Sequence, residues 1–269
     1  MIRIKKKKLF CCFIDFEKAF DKVWREGVWY KLLMNKIDGK IYNIIINMYK
    51  GIKSRIQFKG EFSEYFLCQN GLRQGENLSP LLFSLYLNDI EQFFIQNNIT
   101  GLECITRENE NNLNIYLKLF ILLYADDTVL MADNPEQLQR EINIFSDYCK
   151  IWKLKVNTEK TKIVIFSKGR LPAYDFKINN EALEVVKEFN YLGVTFSRGG
   201  SFLNTIKNNA KKGTKAMYEI LRKGRFHNLS ISCQYHLFEK NRHSYSPVWV
   251  RNMGLKQYRN FGESTFKVL

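Results

Sequence analysis

The chain has 269 residues, of which 45% are hydrophobic and 14% aromatic. That is enough apolar material for one large or two small domains with a real core, which excludes a disordered chain. Basic residues number 42 against 27 acidic ones, a formal charge of +15, which is too large for a neutral small-molecule substrate. The excess predicts a polyanionic partner, either nucleic acid or an acidic membrane surface.

The sequence contains no signal for membrane insertion or secretion. No apolar run approaches the roughly 20 residues that a span needs, and residues 1–8 lack the apolar segment of a secretory signal. We therefore expect an intracellular protein without a membrane partner. The six cysteines form no CxxC pair and have no histidine cluster near them. We interpret them as reduced thiols that mostly fill the core, and we predict no zinc site.

The first predicted strand, at residues 9–15 (LFCCFID), ends on Asp15. A carboxylate at the end of a buried strand suits a catalytic or metal-binding role, because the strand fixes its position while the end is open to ligand. The alternative is a helix N-cap. Apolar side chains at spacings of three and four then predict an amphipathic helical segment at residues 16–24. Two short helices follow, from residue 28 and at residues 40–49.

A loop with two glycines follows a predicted strand pair at residues 55–69. Gly71 and Gly75 bracket Arg73 and Gln74, and the backbone of such a loop can approach a ligand closely. The loop can equally be only a connection between elements.

Ser79 and Pro80 are predicted to begin the next helix as its N-cap and first residue. The following residues, 81–90, are apolar almost all round. We expect this helix to be buried beneath a sheet.

Two adjacent carboxylates, Asp126 and Asp127, interrupt an apolar stretch at residues 119–131 (LFILLYADDTVLM). Each apolar run is too short for a free helix, so the stretch predicts a β-hairpin with both acids at its bend. Two like charges at that separation raise each other's pKa unless a cation lies between them. The alternative is a solvated Asp-Asp turn. The charged, Asn-rich residues 103–114 before it are predicted to form an exposed loop.

The second half of the chain continues the mixture of helices and strands. Residues 134–152 predict a long helix capped by Asn134. A strand is predicted at residues 162–166, a hairpin at residues 174–186, and a strand pair hinged on a glycine at residues 189–196.

A final helix is predicted at residues 202–225, and its polar faces are strongly basic. They carry Lys207, Lys211, Lys212, Lys215, Arg222, Lys223 and Arg225. Such a face can be merely solvated, but in an already basic chain a surface that follows a phosphate backbone is the better interpretation.

Asp15, Asp126 and Asp127 together supply the chemistry needed to hold two divalent cations about 4 Å apart for in-line attack on phosphorus. Mg²⁺ takes oxygen ligands and usually shares others from substrate phosphates. We therefore predict two Mg²⁺ ions, with Mn²⁺ as a substitute. One would lower the pKa of a primer hydroxyl, and the other would stabilise the departing pyrophosphate.

Five ordered blocks resemble the palm of reverse transcriptases, most closely those of non-LTR (LINE-type) retrotransposons. They are FIDFEKAFDKVW, GLRQGENLSPLLFSLYLNDIE, YADDTVLMA, LKVNTEKTKIVIFSK and FNYLGVTF. The resemblance covers residues 9–223, and group II intron enzymes share this palm. It implies an α+β right-hand polymerase fold, with an antiparallel palm sheet backed by helices and a partial helical thumb. The implied organisation is a basic segment at residues 1–8, a palm at 9–200, a thumb at 201–240 and an irregular tail at 241–269.

The resemblance also implies roles for individual residues. Asp15, Asp126 and Asp127 match the metal-binding carboxylates, and Lys160 matches a lysine that protonates pyrophosphate, although a lysine there can be a plain surface residue. The nucleotide-binding positions are Phe16, Phe20, Arg73, Gln74 and Gly75. Among them Phe20 would lie under the incoming sugar and exclude a 2′-hydroxyl, or it is a core aromatic, while Gln74 would line the nascent base pair.

The primer end would be positioned by Tyr191, Leu192 and Gly193. The thumb helix would contact the nucleic-acid backbone through Lys207, Lys211, Lys212 and Lys215. The implied partners are an RNA template, a DNA primer and a dNTP.

Two departures from the family pattern concern the ends of the chain. Met1 stands only 14 residues before Asp15, so the fingers region that holds the triphosphate is expected to be missing, as are the endonuclease regions of a parent polyprotein. Two hypotheses follow. The chain is an RNA-directed DNA polymerase domain, or it is a catalytically inactive remnant that still binds nucleic acid.

Overall fold

The computed structural model describes residues 8–99, 101–107, 114–119, 121–124, 127–167, 169, 172–233 and 236. For residues 103–107, 114–119, 123, 124 and 225 it describes the backbone only. The chain divides into two compact units, Met1–Lys187 and Glu188–Leu269.

The helices of the first unit are α1 (Arg25–Met34), α2 (Gly39–Tyr49), α3 (Leu78–Tyr86), α4 (Ile90–Gln96) and α5 (Pro135–Ile151). Its strands are β1 (Leu9–Ile14), β2 (Lys53–Ser54), β3 (Gln57–Phe58), β4 (Glu61–Phe62), β5 (Phe66–Leu67), β6 (Leu102–Arg107), β7 (Asn114–Leu119), β8 (Ile121–Tyr124), β9 (Asp127–Ala132), β10 (Lys162–Phe166), β11 (Phe176–Ile178) and β12 (Glu181–Val186). The second unit contains β13 (Glu188–Tyr191), β14 (Val194–Ser197) and α6 (Leu203–Phe226).

A six-stranded sheet in the order β11-β12-β10-β1-β9-β8 organises the first unit. The central strand β1 pairs antiparallel with both β9 and β10. The pairing of β10 with β12 is parallel, so the prediction of an antiparallel sheet is corrected to a mixed one. The reason is the β11–β12 hairpin: β12 returns from β11 in the direction of β10 and pairs directly with it.

The core lies between this sheet and the helices. Alternate residues of β1 face it, namely Phe10, Cys12 and Ile14, as period-2 geometry requires. From α5, the side chains that pack against them include Leu138, Ile142 and Phe145, all fully buried. The result is a mixed α/β architecture with a helix-backed sheet, which is consistent with the predicted palm.

Most predicted elements are present at the expected places. Strands β1 and β10 and helices α1, α2 and α5 match the sequence patterns, and the Asn134 side chain caps α5 by accepting a hydrogen bond from the Gln137 backbone N–H at 2.8 Å. The β11–β12 hairpin turns at Asn179 and Asn180, with φ of 48° and 68°, as a type I′ turn requires. Cys11, Cys12 and Cys149 are buried, as predicted for thiols that fill the core, and burial raises their pKa.

The helical segment predicted at residues 16–24 is wrong. The chain stays extended past Asp15 because Phe16 forms a β-bridge with Val156 and the Glu17 N–H donates to the Lys155 carbonyl at 2.7 Å. Turns then follow, with Lys18 at φ 53°.

The predicted start of α3 and the loop at residues 103–114 are also corrected. Asn77 is the N-cap of α3, because the buried Ser79 hydroxyl donates to the Arg73 carbonyl at 2.5 Å instead of capping the helix. The helix is not buried all round, since Leu81 is 66% exposed. Residues 102–107 and 114–119 form the paired strands β6 and β7, and residues 108–113 lie outside the described residues.

The second unit consists of the β13–β14 hairpin and the long helix α6. The hairpin turns at Leu192 and Gly193, with φ of 49° and 77°. The Thr205 hydroxyl binds both backbone groups of Thr195 in β14: its oxygen accepts from the Thr195 N–H and its hydrogen is donated to the Thr195 carbonyl, each at 2.9 Å. The predicted division into palm and thumb stays a prediction. Across the described ranges of the chain, no helix is both long and apolar enough to cross a membrane.

Candidate active site

The pairing of β1 with β9 brings two of the predicted acids together. Ile14, the last residue of β1, lies opposite Thr128. Extending this antiparallel register by one position puts Asp15 opposite Asp127. Antiparallel partners have Cα atoms about 5 Å apart. Side-chain alternation directs both carboxylates away from the core that Ile14 faces, and both residues are half-buried. Asp126 lies outside the described residues.

A loop at residues 157–161 holds the backbone of Asp15. The Asp15 N–H donates to Thr161 Oγ1 at 3.2 Å, and the Asp15 carbonyl accepts from the Asn157 N–H at 2.8 Å. Thr161 is fully buried, and its own N–H donates to the Asn157 carbonyl at 2.9 Å. No role for Asn157 or Thr161 was predicted from the sequence, although both belong to the residue types that form Asx and ST turns.

Lys160, which belongs to the same loop, lies near the carboxylate of Asp15. Its N–H donates to Asn157 Oδ1 at 3.2 Å, which sets the loop conformation, and its Nζ lies 3.9 Å from Asp15 Oδ2. The Lys160 side chain is 70% exposed, so this ion pair adds little stability. The ammonium group remains accessible to a ligand.

The predicted nucleotide-binding segments contact each other. The Gly71 N–H donates to the Val23 carbonyl at 2.9 Å and the Leu72 N–H to the Phe20 carbonyl at 2.7 Å. Gln74 Nε2 donates to Asp21 Oδ1 at 2.9 Å, a partner that was not predicted from the sequence. The structure therefore brings Gln74 beside the Phe20 segment.

Three other predicted nucleotide-binding residues have different surroundings: Phe20, Gly75 and Arg73. The half-buried Phe20 ring packs on Phe83 of α3, with ring centroids 5.0 Å apart. Gly75, with φ 86°, has open space where a Cβ would lie. Arg73 donates to Glu76 Oε1 at 2.6 Å and to the Met48 carbonyl at 2.8 Å, so its guanidinium is already engaged by the protein.

The Phe16 side chain lies in the core. It is 6% exposed and packs against Phe83 and Phe145, with centroid distances of 6.3 Å and 5.9 Å. Its place in the core supports the strand end that carries Asp15.

Arg25 anchors the glycine loop and was not predicted from the sequence. Its buried guanidinium donates to the carbonyls of Gly71 at 2.8 Å, Cys68 at 2.7 Å, Asn70 at 3.1 Å and Tyr49 at 3.3 Å. One side chain thus connects α1, the end of α2 and the strand that leads to the loop. Burial lowers the pKa of Arg25, but a guanidinium remains charged in proteins.

Gly71 is a position where the loop tolerates no side chain. A Cβ there would lie 2.5 Å from the Asp21 carbonyl oxygen, and φ is 89°. We expect Gly71→Ala to lower the free energy of unfolding by about 2–4 kcal/mol, combining the left-handed backbone penalty with the clash. Gly75→Ala is the matched control, because its φ of 86° carries the same penalty without a contact. Urea unfolding that gave equal losses for the two variants would contradict the close approach.

Glu17 lies two residues after Asp15 in sequence, and its carboxylate is paired with two lysines. Its two carboxylate oxygens pair with Lys22 and Lys155, each at 2.8 Å. Hydrogen bonds from Lys155 and then Lys22 lower its pKa to about 2. Both carboxylate oxygens of Glu17 are thus occupied by lysine ammonium groups.

The candidate carboxylates are the type of ligand that a hard divalent cation binds. Asp15 and Asp127 offer oxygen donors on one face of the sheet, which are the ligands that Mg²⁺ prefers. No group of three metal-ligating side chains occurs within the part of the chain that the structure describes, and that part excludes Asp126.

The second unit contains the residues that were predicted to position the primer and to bind the nucleic-acid backbone. Tyr191, Leu192 and Gly193 form the end and turn of the β13–β14 hairpin. All four predicted backbone-binding lysines, Lys207, Lys211, Lys212 and Lys215, are exposed on α6.

A carboxylate pair on the side of a helix-backed sheet away from its core is the arrangement expected of a nucleic-acid polymerase palm. The family model for reverse transcriptase (RNA-dependent DNA polymerase) matches residues 1–196. The chain belongs to this family.

Curated relatives confirm the LINE-type resemblance. The RNA-directed DNA polymerase from mobile element jockey of Drosophila funebris is 28% identical over 204 residues, covering 74% of this chain and 20% of the relative. The Pol polyprotein from type-1 retrotransposable element R2 of Nasonia vitripennis is 29% identical over 143 residues, covering 52% and 13%. This chain therefore spans about a fifth or less of the length of these relatives.

Among solved structures, a telomerase from Candida tropicalis in complex with a TWJ fragment of telomeric RNA is similar with a TM-score of 0.48. The two chains are 13% identical, and the match covers 73% of this chain and 30% of the telomerase.

Proposed function

We propose that this chain is the RNA-directed DNA polymerase domain of a LINE-type element and extends a DNA primer along an RNA template. The observation that carries the proposal is the antiparallel pairing of β1 with β9 up to Ile14 and Thr128, the neighbours of Asp15 and Asp127, with the Asp15 backbone bonded through its N–H and its carbonyl to residues 157–161. Preorganised charge at the reacting phosphate is the main contribution a protein makes to phosphoryl transfer.

Asp15, Asp127 and Asp126 would hold two Mg²⁺ ions, with Mn²⁺ as a substitute. When bound, such ions lower the pKa of a primer 3′-hydroxyl and neutralise charge on the departing pyrophosphate.

The protein's own side chains would position the substrates. The primer 3′-oxygen forms a bond to the α-phosphorus of the dNTP while the bond to the β-phosphate oxygen breaks and pyrophosphate leaves. Lys160 Nζ, 3.9 Å from Asp15 Oδ2, would donate a proton to that leaving group. Phe20, fixed on Phe83, would lie under the sugar, and Gln74, held by Asp21, would line the base pair. Tyr191, Leu192 and Gly193 are proposed to position the primer.

Primer extension tests the proposal directly. The chain is incubated with a primed RNA template, the four dNTPs and Mg²⁺ or Mn²⁺, and extended products are resolved by length. We expect extension by the wild-type chain and none by Asp126→Asn. Equal signals from the two proteins would refute polymerase activity of this chain.

The second candidate, nucleic-acid binding without synthesis, is favoured by the exposed lysines of α6. We expect replacement of Lys207, Lys211, Lys212 and Lys215 by glutamine to flatten the dependence of log affinity on log salt by roughly 0.7–0.9 per lysine that contacts a phosphate. Fluorescence anisotropy over a salt series measures the slope. Lys150→Gln with Lys177→Gln is the matched control, because each of these lysines already pairs with an aspartate. A slope that stays unchanged in the α6 variant would remove α6 from the interface.

A further inference from the structure

Residues 53–67 form a narrow antiparallel ribbon that projects apolar side chains into solvent. The ribbon is built from two short ladders, β2 with β5 and β3 with β4. Its exposed aromatic residues are Phe58 at 69%, Phe62 at 50%, Tyr65 at 60% and Phe66 at 48%. Exposed apolar surface of this density marks an interaction site. We call residues 53–67 the aromatic ribbon.

Two cationic side chains of the aromatic ribbon lie over its aromatic rings. The Arg55 guanidinium carbon lies 3.7 Å from the Phe62 ring centroid and 5.2 Å from that of Tyr65. Lys59 Nζ lies 5.4 Å from the Phe58 centroid. Stacking on aromatic faces holds the flat guanidinium in place at little entropic cost.

Charge and ring surface together favour a single-stranded polyanion over a protein partner. Within the described residues, no ion pair neutralises Arg55, whose contacts are the two rings. Exposed rings and a guanidinium plane stack on unpaired bases, while the cation attracts the phosphate between them. A duplex offers no such free base faces.

The ends of the aromatic ribbon are tied to the glycine loop of the candidate active site. At its base, the Cys68 N–H donates to the Ile52 carbonyl at 2.9 Å. Arg25 then binds the carbonyls of Cys68 and Gly71 at 2.7 Å and 2.8 Å. The ribbon is therefore anchored a few residues from Gln74 within the same unit.

We propose that the aromatic ribbon is a stacking platform for single-stranded nucleic acid and takes the unpaired RNA template beside the glycine loop. This inference rests on the proposed function, because it assumes that the chain handles a template. Phe62, Tyr65 and Arg55 form the platform, and Arg25 fixes its position relative to the glycine loop.

The test measures binding of a fluorescein-labelled 12-nucleotide oligo(U) RNA to the full chain by anisotropy. We expect the double variant Phe62→Ala, Tyr65→Ala to bind at least about tenfold more weakly, since each base–aromatic stack contributes several-fold or more to affinity. The salt slope should stay unchanged, because stacking releases no counterions. Arg55→Lys should weaken binding while keeping the charge. Ile56→Ala is the matched control, since it removes an exposed side chain of the same ribbon (62% exposed) that is not aromatic.

Crosslinking gives an independent readout. RNA containing 4-thiouridine should crosslink to peptides spanning residues 53–67 in the wild-type chain and lose that crosslink in the double variant. Unchanged affinity in the double variant, together with normal wild-type binding, overturns the platform and leaves the proposed function standing. A wild-type chain that binds no RNA overturns both. Circular dichroism should show the same unfolding midpoint for all variants, because the altered side chains are exposed.

Discussion

The Asp15→Asn variant is expected to lose primer extension by roughly 1,000-fold or more and to keep its fold. A carboxylate that helps neutralise charge in phosphoryl transfer contributes several kcal/mol to the transition state, and about 1.36 kcal/mol corresponds to a factor of ten in rate. Asparagine keeps the shape of the side chain but removes its charge. The backbone bonds of Asp15 to Thr161 and Asn157 do not depend on that charge.

Asp175→Asn is the matched control for this substitution. Asp175 is an exposed carboxylate paired with Lys177 at 3.2 Å, so the same chemical change should leave extension within about twofold of wild type. Rates are compared at saturating dNTP, and thermal unfolding checks that each variant is folded. Asp15→Asn with wild-type rates would exclude Asp15 from the reaction.

Replacing the buried Glu141 with glutamine is expected to stabilise the protein by roughly 4–5 kcal/mol above pH 8 and hardly at all near pH 4. Glu141 of α5 is fully buried, and its Oε2 has no hydrogen-bond partner within the described structure. Burial, and to a smaller extent the charge of Asp133, raises its pKa from 4.5 to about 8, although a hydrogen bond from Gln137 at 3.2 Å opposes the shift.

The direction of the pH dependence follows from this raised pKa. Between about pH 4.5 and pH 8 the unfolded chain releases the Glu141 proton while the folded chain keeps it. The stability that the protonated form contributes is therefore complete below pH 4.5, falls by about 1.4 kcal/mol per pH unit as the pH rises, and is lost once the pH passes about 8. Glutamine does not titrate, so the variant should lack this decline.

Urea unfolding of wild type and Glu141→Gln between pH 4 and pH 9 measures the difference. Glu136→Gln, an exposed glutamate in the first turn of the same helix, is the control. Its effect should stay below about 1 kcal/mol across this range, as expected for a helix N-terminal charge. Parallel stability profiles for wild type and Glu141→Gln would show that the carboxyl group is not desolvated as described.

Local sequence patterns were sufficient to predict an element where the interactions that determine it lie close together in sequence. The capping of α5 by Asn134, the β11–β12 turn at Asn179 and Asn180, and the β8–β9 hairpin ending at Asp127 were each predictable, because turn chemistry and period-2 alternation act over a few residues. The segment after Asp15 failed for the opposite reason. Its apolar spacing resembled a helix, but pairing with Val156, far away in the chain, keeps it extended.

The sequence by itself determined that this chain carries the ordered motifs of a LINE-type reverse transcriptase, since each motif is a contiguous run of residue types. Only the tertiary structure decided that Asp15 lies opposite Asp127, that Asn157 and Thr161 hold it there, and that the buried Arg25 ties the glycine loop to two helices. These placements depend on the register of strands that are distant in sequence. A shift of one residue would turn the carboxylates to the other face, and only the packing of the whole core excludes that shift.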